Sequence, residues 1–125
     1  MISIGEIRKT FTPYYDKVLK KQSIKSRPAL IVGMADSSDY VVLPVSRVSI
    51  RSNLDPDYDI EVNPAKYPLL CLNAVSYIRT HKQTVIHAAE IGGAIGNLRN
   101  SYEDLYLTVI EKRDTFNRLL TNQAL

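Results

Sequence analysis

Pro28-Ala29-Leu30-Ile31-Val32-Gly33 is a short apolar run closed by a proline and a glycine, too brief for a helix and suited to a buried strand. Residues 40–45 repeat the pattern. Between them lie Asp36-Ser37-Ser38-Asp39, whose side chains can cap a turn, so the two runs are expected to form an antiparallel hairpin at the centre of a sheet. After the turn cluster Asn53-Leu54-Asp55-Pro56-Asp57, residues 58–62 alternate apolar with acidic side chains, as a half-exposed strand does, and Asn63-Pro64 ends them. Residues 69–72 and 74–79 supply further extended candidates, with Pro68 tolerated at a strand start. Roughly five or six short strands result, a number suited to a small barrel.

The period then changes. Tyr102, Leu105, Tyr106, Val109, Ile110, Phe116, Leu119 and Leu120 recur at helical spacing, and Ser101 with Asp104 forms a capping-box signature at the start. A second, shorter helix is predicted over residues 82–90, stopped by Gly92-Gly93. The fold class is therefore β-rich α+β with a C-terminal helix.

With 125 residues and 45% apolar content, the chain is read as a single domain over residues 1–125. The net charge of +3 is small, but its distribution is uneven. Arg8, Lys9, Lys17, Lys20, Lys21, Lys25 and Arg27 crowd the N-terminal quarter against only Glu6 and Asp16, and a face carrying them would attract phosphate backbones. Lone Cys71, set among leucines, excludes an intramolecular disulfide and reads as a buried core thiol. The opening residues lack the apolar core of a signal peptide, and no apolar run approaches the ~18 residues of a membrane span. A cytoplasmic protein with no membrane partner is expected.

Gly92-Gly93-Ala94-Ile95-Gly96 lacks the lysine and the strand-then-helix setting of a phosphate loop and reads as a connector. His81 and His87 have no clustered carboxylates or metal-ligand spacing around them, so neither a metal nor a cofactor is expected. Asp57, Asp59 and Glu61 share one face of a strand, either as a solvated face or as an acid and base pair. Three stretches place hydroxyls and guanidinium groups at strand ends: Lys25-Ser26-Arg27-Pro28, Pro44-Val45-Ser46-Arg47 and Tyr77-Ile78-Arg79-Thr80-His81-Lys82. If strand ends meet at one rim, arginine forks there can bind phosphate.

In their order these stretches resemble the MazF/PemK family of toxin endoribonucleases. The matching segments are Arg27-Pro28-Ala29-Leu30-Ile31-Val32, Leu43-Pro44-Val45-Ser46, Tyr77-Ile78-Arg79-Thr80, and Ile95-Gly96-Asn97-Leu98 before the terminal helix. The resemblance implies a small SH3-like β barrel of the MazF/CcdB kind, usually a homodimer, that cleaves single-stranded RNA without metal and is held inactive by an acidic antitoxin. It carries Arg27 over as the catalytic arginine and Ser46 as its hydroxyl partner, where threonine is more typical. Lys25, Arg47, Tyr77, Arg79, Thr80, His81 and Lys82 become candidate substrate-binding residues. The segment over residues 12–26 departs from the family, being rich in lysine and tyrosine, and Tyr77 stands where glutamine is common.

The mechanism so implied is attack of the ribose 2′-hydroxyl on the adjacent phosphorus. Arginine is a poor proton acceptor, so Arg27 is assigned chiefly to electrostatic stabilisation and Ser46 to hydrogen-bonding the phosphate. His81, with an ordinary pKa of ~6.5, is either a base or an exposed histidine without a role. Two readings compete: a non-catalytic CcdB-like gyrase poison, and a degenerate MazF-like protein retained for partner binding.

Overall fold

The computed structural model describes residues 1–125, the side chain of Thr12 excepted. Seven antiparallel strands, β1 (Glu6–Asp16), β2 (Lys21–Met34), β3 (Asp39–Ser46), β4 (Asp59–Val62), β5 (Ser76–Arg79), β6 (Thr84–His87) and β7 (Ile91–Asn97), form a curled half-barrel in the order β4-β5-β3-β2-β1-β7. A one-turn helix α1 (Leu98–Ser101) leads into the long α2 (Glu103–Ala124). Strand β3 divides its free edge: Asp39 to Val42 pair with β6, and Val45 and Ser46 pair with β5. No described helix is long and apolar enough to cross a membrane.

Alternation along β2 and β3 fills both faces of the sheet. Leu30 and Leu43 pair across the strands and enter the main core with Ile7, Val45, Val62, Ile78 and Leu98. Ile31 and Val42, paired next to them, point the other way and are covered by Ile2, Tyr40, Ile86 and Ile91. Tyr106 and Val109 of α2 close the main core, and a fully buried side chain such as Val109 is worth about 1.5–3 kcal/mol relative to exposure. Glu103 and Asp104 in the first turn of α2 complement its N-terminal partial charge.

The β2–β3 hairpin and the terminal helix agree with the sequence expectation. The turn is held by the Asp36 carboxylate, which accepts hydrogen bonds from the Ser38 and Asp39 N–H groups, each at 2.9 Å. Other elements differ. Residues 69–72 do not form a strand: Pro68–Leu70 is a 3-10 turn, after which Cys71 takes a left-handed conformation with φ 53°. That turn carries Cys71 to the surface, so it is exposed and not a core thiol. The helix expected over residues 82–90 is replaced by β6 and a 3-10 turn, because β-branched Thr84, Val85 and Ile86 find a partner edge in β3. Ser101 is taken up in α1, so its capping box with Asp104 does not form; Tyr102 occupies the N-cap of α2 without a side-chain bond.

Residues 92–96, expected to be a connector, lie in β7. Gly92 and Gly96 serve close packing. A Cβ on Gly96 would lie 2.8 Å from Leu70 Cα and 2.9 Å from the Leu69 carbonyl oxygen, so its absence lets the 3-10 turn rest on β7. Gly96→Ala is expected to destabilise the fold by about 1–3 kcal/mol, read as a lower urea midpoint, because backbone must shift to admit the methyl group.

Hydrogen bonding from Ser38 and Asp39 lowers the Asp36 pKa below its ordinary value of 3.8. The folded turn therefore favours the carboxylate, and its contribution is present above the unfolded value and lost as pH falls through the folded one. A proton titration of Asp36 by NMR should give a midpoint below 3.8 that returns to the ordinary value in denaturant.

Candidate anion-binding cleft

Residue Pro28 ends the buried part of β2, and the segment before it is exposed. Continuing the Ala29↔Pro44 register by two positions brings Arg27 opposite Ser46 at the end of β3. There the curl of the sheet opens a cleft of ≈ 520 Å³. Its lining includes Lys9 from β1, Lys25, Ser26 and Arg27 from β2, Ser46 and Arg47 from the end of β3, and Ser76 from β5. Val45, Leu72 and Ile95 give it an apolar floor, with Cys71 and Asn73 along one side.

The electrostatics are one-sided. Four cationic side chains, Lys9, Lys25, Arg27 and Arg47, line the cleft and no carboxylate does. Hydroxyls of Ser26 and Ser46 and the Asn73 amide add neutral donors. The Ser76 hydroxyl, by contrast, donates to the Ala74 carbonyl at 3.0 Å. Such a set has the chemistry to bind an anion with oxygen atoms to share, and phosphate is the group that arginine forks match. No group of three or more His, Cys, Asp or Glu side chains is placed to hold a metal among the described residues.

Of the residues singled out in the sequence, Lys25, Arg27, Ser46 and Arg47 are brought together here. The third stretch goes elsewhere. Tyr77 pairs with Ser46 in register, but alternation sends Ser76 into the cleft, and the Tyr77 side chain lines a separate hollow with Arg51, Asp55 and Glu61. Arg79 is held in a fork by Asp59, Nε donating to Oδ1 at 3.0 Å and Nη2 to Oδ2 at 3.2 Å, and also donates to the Asn53 carbonyl. Thr80 is fully buried and donates to the Tyr58 carbonyl at 2.6 Å.

His81 packs against Tyr58 and Phe116, with Nδ1 3.7 Å from Asp59 Oδ1 and without a hydrogen bond. Lys82 is exposed at the following turn and does not line the cleft. Residues 79–81 thus fasten β4 and α2 to the sheet. Asp59, only 2% exposed in its side chain, is no part of a solvated acidic face, because Arg79 takes both its oxygens.

Asn73 and Ser76 were not among the sequence candidates, Ser26 figured only as the hydroxyl of a strand-end stretch, and Lys9 only in the basic N-terminal crowd. Lys9 belongs to a strand that the apolar pattern does not reveal, and Asn73 and Ser76 are ordinary polar residues until the 3-10 turn and β5 bring them to the rim. No family model matches this chain, and no curated protein matches it either.

The two arginines should separate by experiment. Arg79→Ala leaves the buried Asp59 carboxylate unpaired and is expected to cost about 3 kcal/mol in denaturant unfolding. Arg27→Ala, at an exposed position, should change stability by less than ~0.5 kcal/mol.

Proposed function

We propose that this chain is a metal-independent endoribonuclease of the MazF/PemK kind, built on a small SH3-like barrel, acting in the cytoplasm on single-stranded RNA and working as a homodimer. The observation that carries the reading is the convergence of Arg27 and Ser46, from different strands, on one cleft lined by cations and free of carboxylates. The ordered match of short motifs supports it further, and the packing gives two of those motifs a reason. Pro28 marks where β2 leaves the core, and Ile95-Gly96-Asn97-Leu98 puts one side chain on the cleft floor, a close approach at Gly96, and Leu98 in the core.

In the proposed reaction the 2′-oxygen forms a bond to phosphorus while the bond to the 5′-oxygen breaks. The 2′-hydroxyl proton passes to solvent, to which the cleft is open, and the 5′-oxygen takes up a proton. Negative charge grows on the phosphoryl oxygens between these events. Arg27 stabilises that charge and Ser46 donates a hydrogen bond to the same group, while Lys9, Lys25 and Arg47 hold the flanking phosphates. His81 has its place in the packing beneath α2 and no part in this chemistry. An acidic antitoxin segment would lie over the same cations, and charge complementarity would speed its association and make it salt-sensitive.

Purified protein incubated with a defined RNA in EDTA should yield fragments ending in a 2′,3′-cyclic phosphate and a 5′-hydroxyl, identified by mass spectrometry. Substrates with 2′-O-methyl or 2′-deoxy sugar at the cut position should resist. Arg27→Ala should slow cleavage at least ~100-fold with the fold intact, since one phosphate-stabilising donor is worth ~3 kcal/mol. Products with 5′-phosphate ends, or full activity in the Arg27→Ala protein, would overturn the assignment. Intact RNA under all conditions would favour a non-catalytic binding protein.

A further inference from the structure

Strands β1 and β2 continue past the body of the sheet. Pairing of β1 with β7 ends at Thr10, and pairing of β2 with β3 ends at Ala29, yet β1 and β2 remain paired from Phe11↔Ser26 out to Asp16↔Lys21. The result is a two-stranded arm with both edges open. Phe11, Tyr14, Tyr15, Val18, Leu19 and Ile24 are all exposed on it. Its only acid, Asp16, is occupied in the turn, where Oδ1 accepts from the N–H groups of Val18 and Leu19 at 2.9 and 3.0 Å.

The β1–β2 register has no shift over its whole length, so residues directly opposite share a face and alternate positions repeat it. Thr10↔Arg27, Tyr14↔Ser23 and Asp16↔Lys21 therefore put Arg27, Lys25, Lys21 and Tyr14 on one side. The Lys25 ammonium lies 5.8 Å from the centre of the Tyr14 ring, as this sharing requires. Tyr15, Ile24 and Phe11 occupy the opposite face. One face of the arm thus presents Arg27 and Lys25 about 6.6 Å apart along the strand, then Ser23 with Tyr14 opposite it, then Lys21 about 13 Å beyond Lys25 and opposite Asp16, with the inner end at the cleft.

We infer that this face of the arm, Tyr14 with Lys21, Lys25 and Arg27, is a binding track for single-stranded RNA that feeds the strand into the cleft. Cations along an extended backbone neutralise successive phosphates, and an exposed ring beside them offers a platform on which an unstacked base lies flat. A duplex keeps its bases stacked and cannot use the ring. An acidic peptide would satisfy the lysines and leave the ring without a role. The inference rests on the cleft reading only for where the strand leads; binding along the arm does not require that the RNA be cut.

The test uses a fluorescent, fully 2′-O-methylated single strand, which can bind and cannot be cleaved, titrated with the full chain at several salt concentrations. Replacing both lysines, Lys21→Ala with Lys25→Ala, should weaken binding and reduce the slope of log affinity against log salt by about 1.4, that is about 0.7 per phosphate contact. Tyr14→Ala should weaken binding about tenfold with little change in slope, and Tyr14→Phe should restore it. Tyr15→Ala, on the opposite face, should bind as wild type, and thermal melts should show all these surface variants folded. Wild-type binding by the double-lysine variant and by Tyr14→Ala would overturn the inference. So would equal affinity for a duplex of the same length, or polyglutamate binding as tightly and indifferent to Tyr14→Ala, which would give the arm to an acidic protein. Cleavage assayed beside binding keeps the two readings apart: arm variants that weaken binding of an RNA the protein never cuts leave the arm standing and remove the nuclease. Normal binding by arm variants with cleavage intact does the reverse.

Discussion

The double pairing of β2 is the constraint from which the rest of the molecule follows. Its later half is hydrogen-bonded to β1 on one side and β3 on the other, and its side chains at 30 and 31 are fully buried on opposite faces. Its earlier half has a single neighbour and no core. The same strand is thus the centre of the half-barrel and the stem of the arm. Arg27 and Pro28 stand where one becomes the other, which is why a charged side chain can be placed on so rigid a support without being buried.

A second fixed point lies across the sheet. Asp59 accepts the Arg79 fork and also the Asp55 N–H at 2.8 Å, tying the turn before β4 to the end of β5. Phe116 of α2 sets its ring edge-on against Tyr58, with centroids 5.0 Å apart, and Lys112 donates to the Asp57 carbonyl. A buried charge pair of this kind adds little to stability in net terms, but removing one partner is costly, so it acts as a geometric lock. It keeps β5 in register beside Ser46, and through that register Ser76 faces the cleft.

What could be read from the sequence follows from how local each signal is. Residues 28–45 carry their own answer, since two apolar runs flank a turn whose aspartate caps it, and α2 carries its own in helical spacing. Thr84 to His87 is too short and too isolated to declare itself, and becomes a strand only because Asp39 to Val42 offer an edge. The arm has polar and apolar residues on both faces and no burial to impose a period, so its strands left no pattern to find. The candidate site was legible where strand ends are fixed by neighbouring apolar runs, at Arg27 and Ser46. Arg79 was expected to bind substrate and instead holds Asp59, a partner twenty positions away to which no spacing rule connects it.

The open edges of the arm bear on how these molecules behave at high concentration. A bare ribbon that exposes tyrosines, isoleucine and phenylalanine offers unpaired backbone groups to another ribbon, the geometry from which intermolecular sheets grow. Pro13 has no N–H to contribute at the middle of β1, and the lysines at 17, 20 and 21 gather like charge around the tip. Two arms approaching edge to edge meet a missing hydrogen bond and mutual repulsion, so a ribbon rich in exposed rings and cations resists pairing with its own copy.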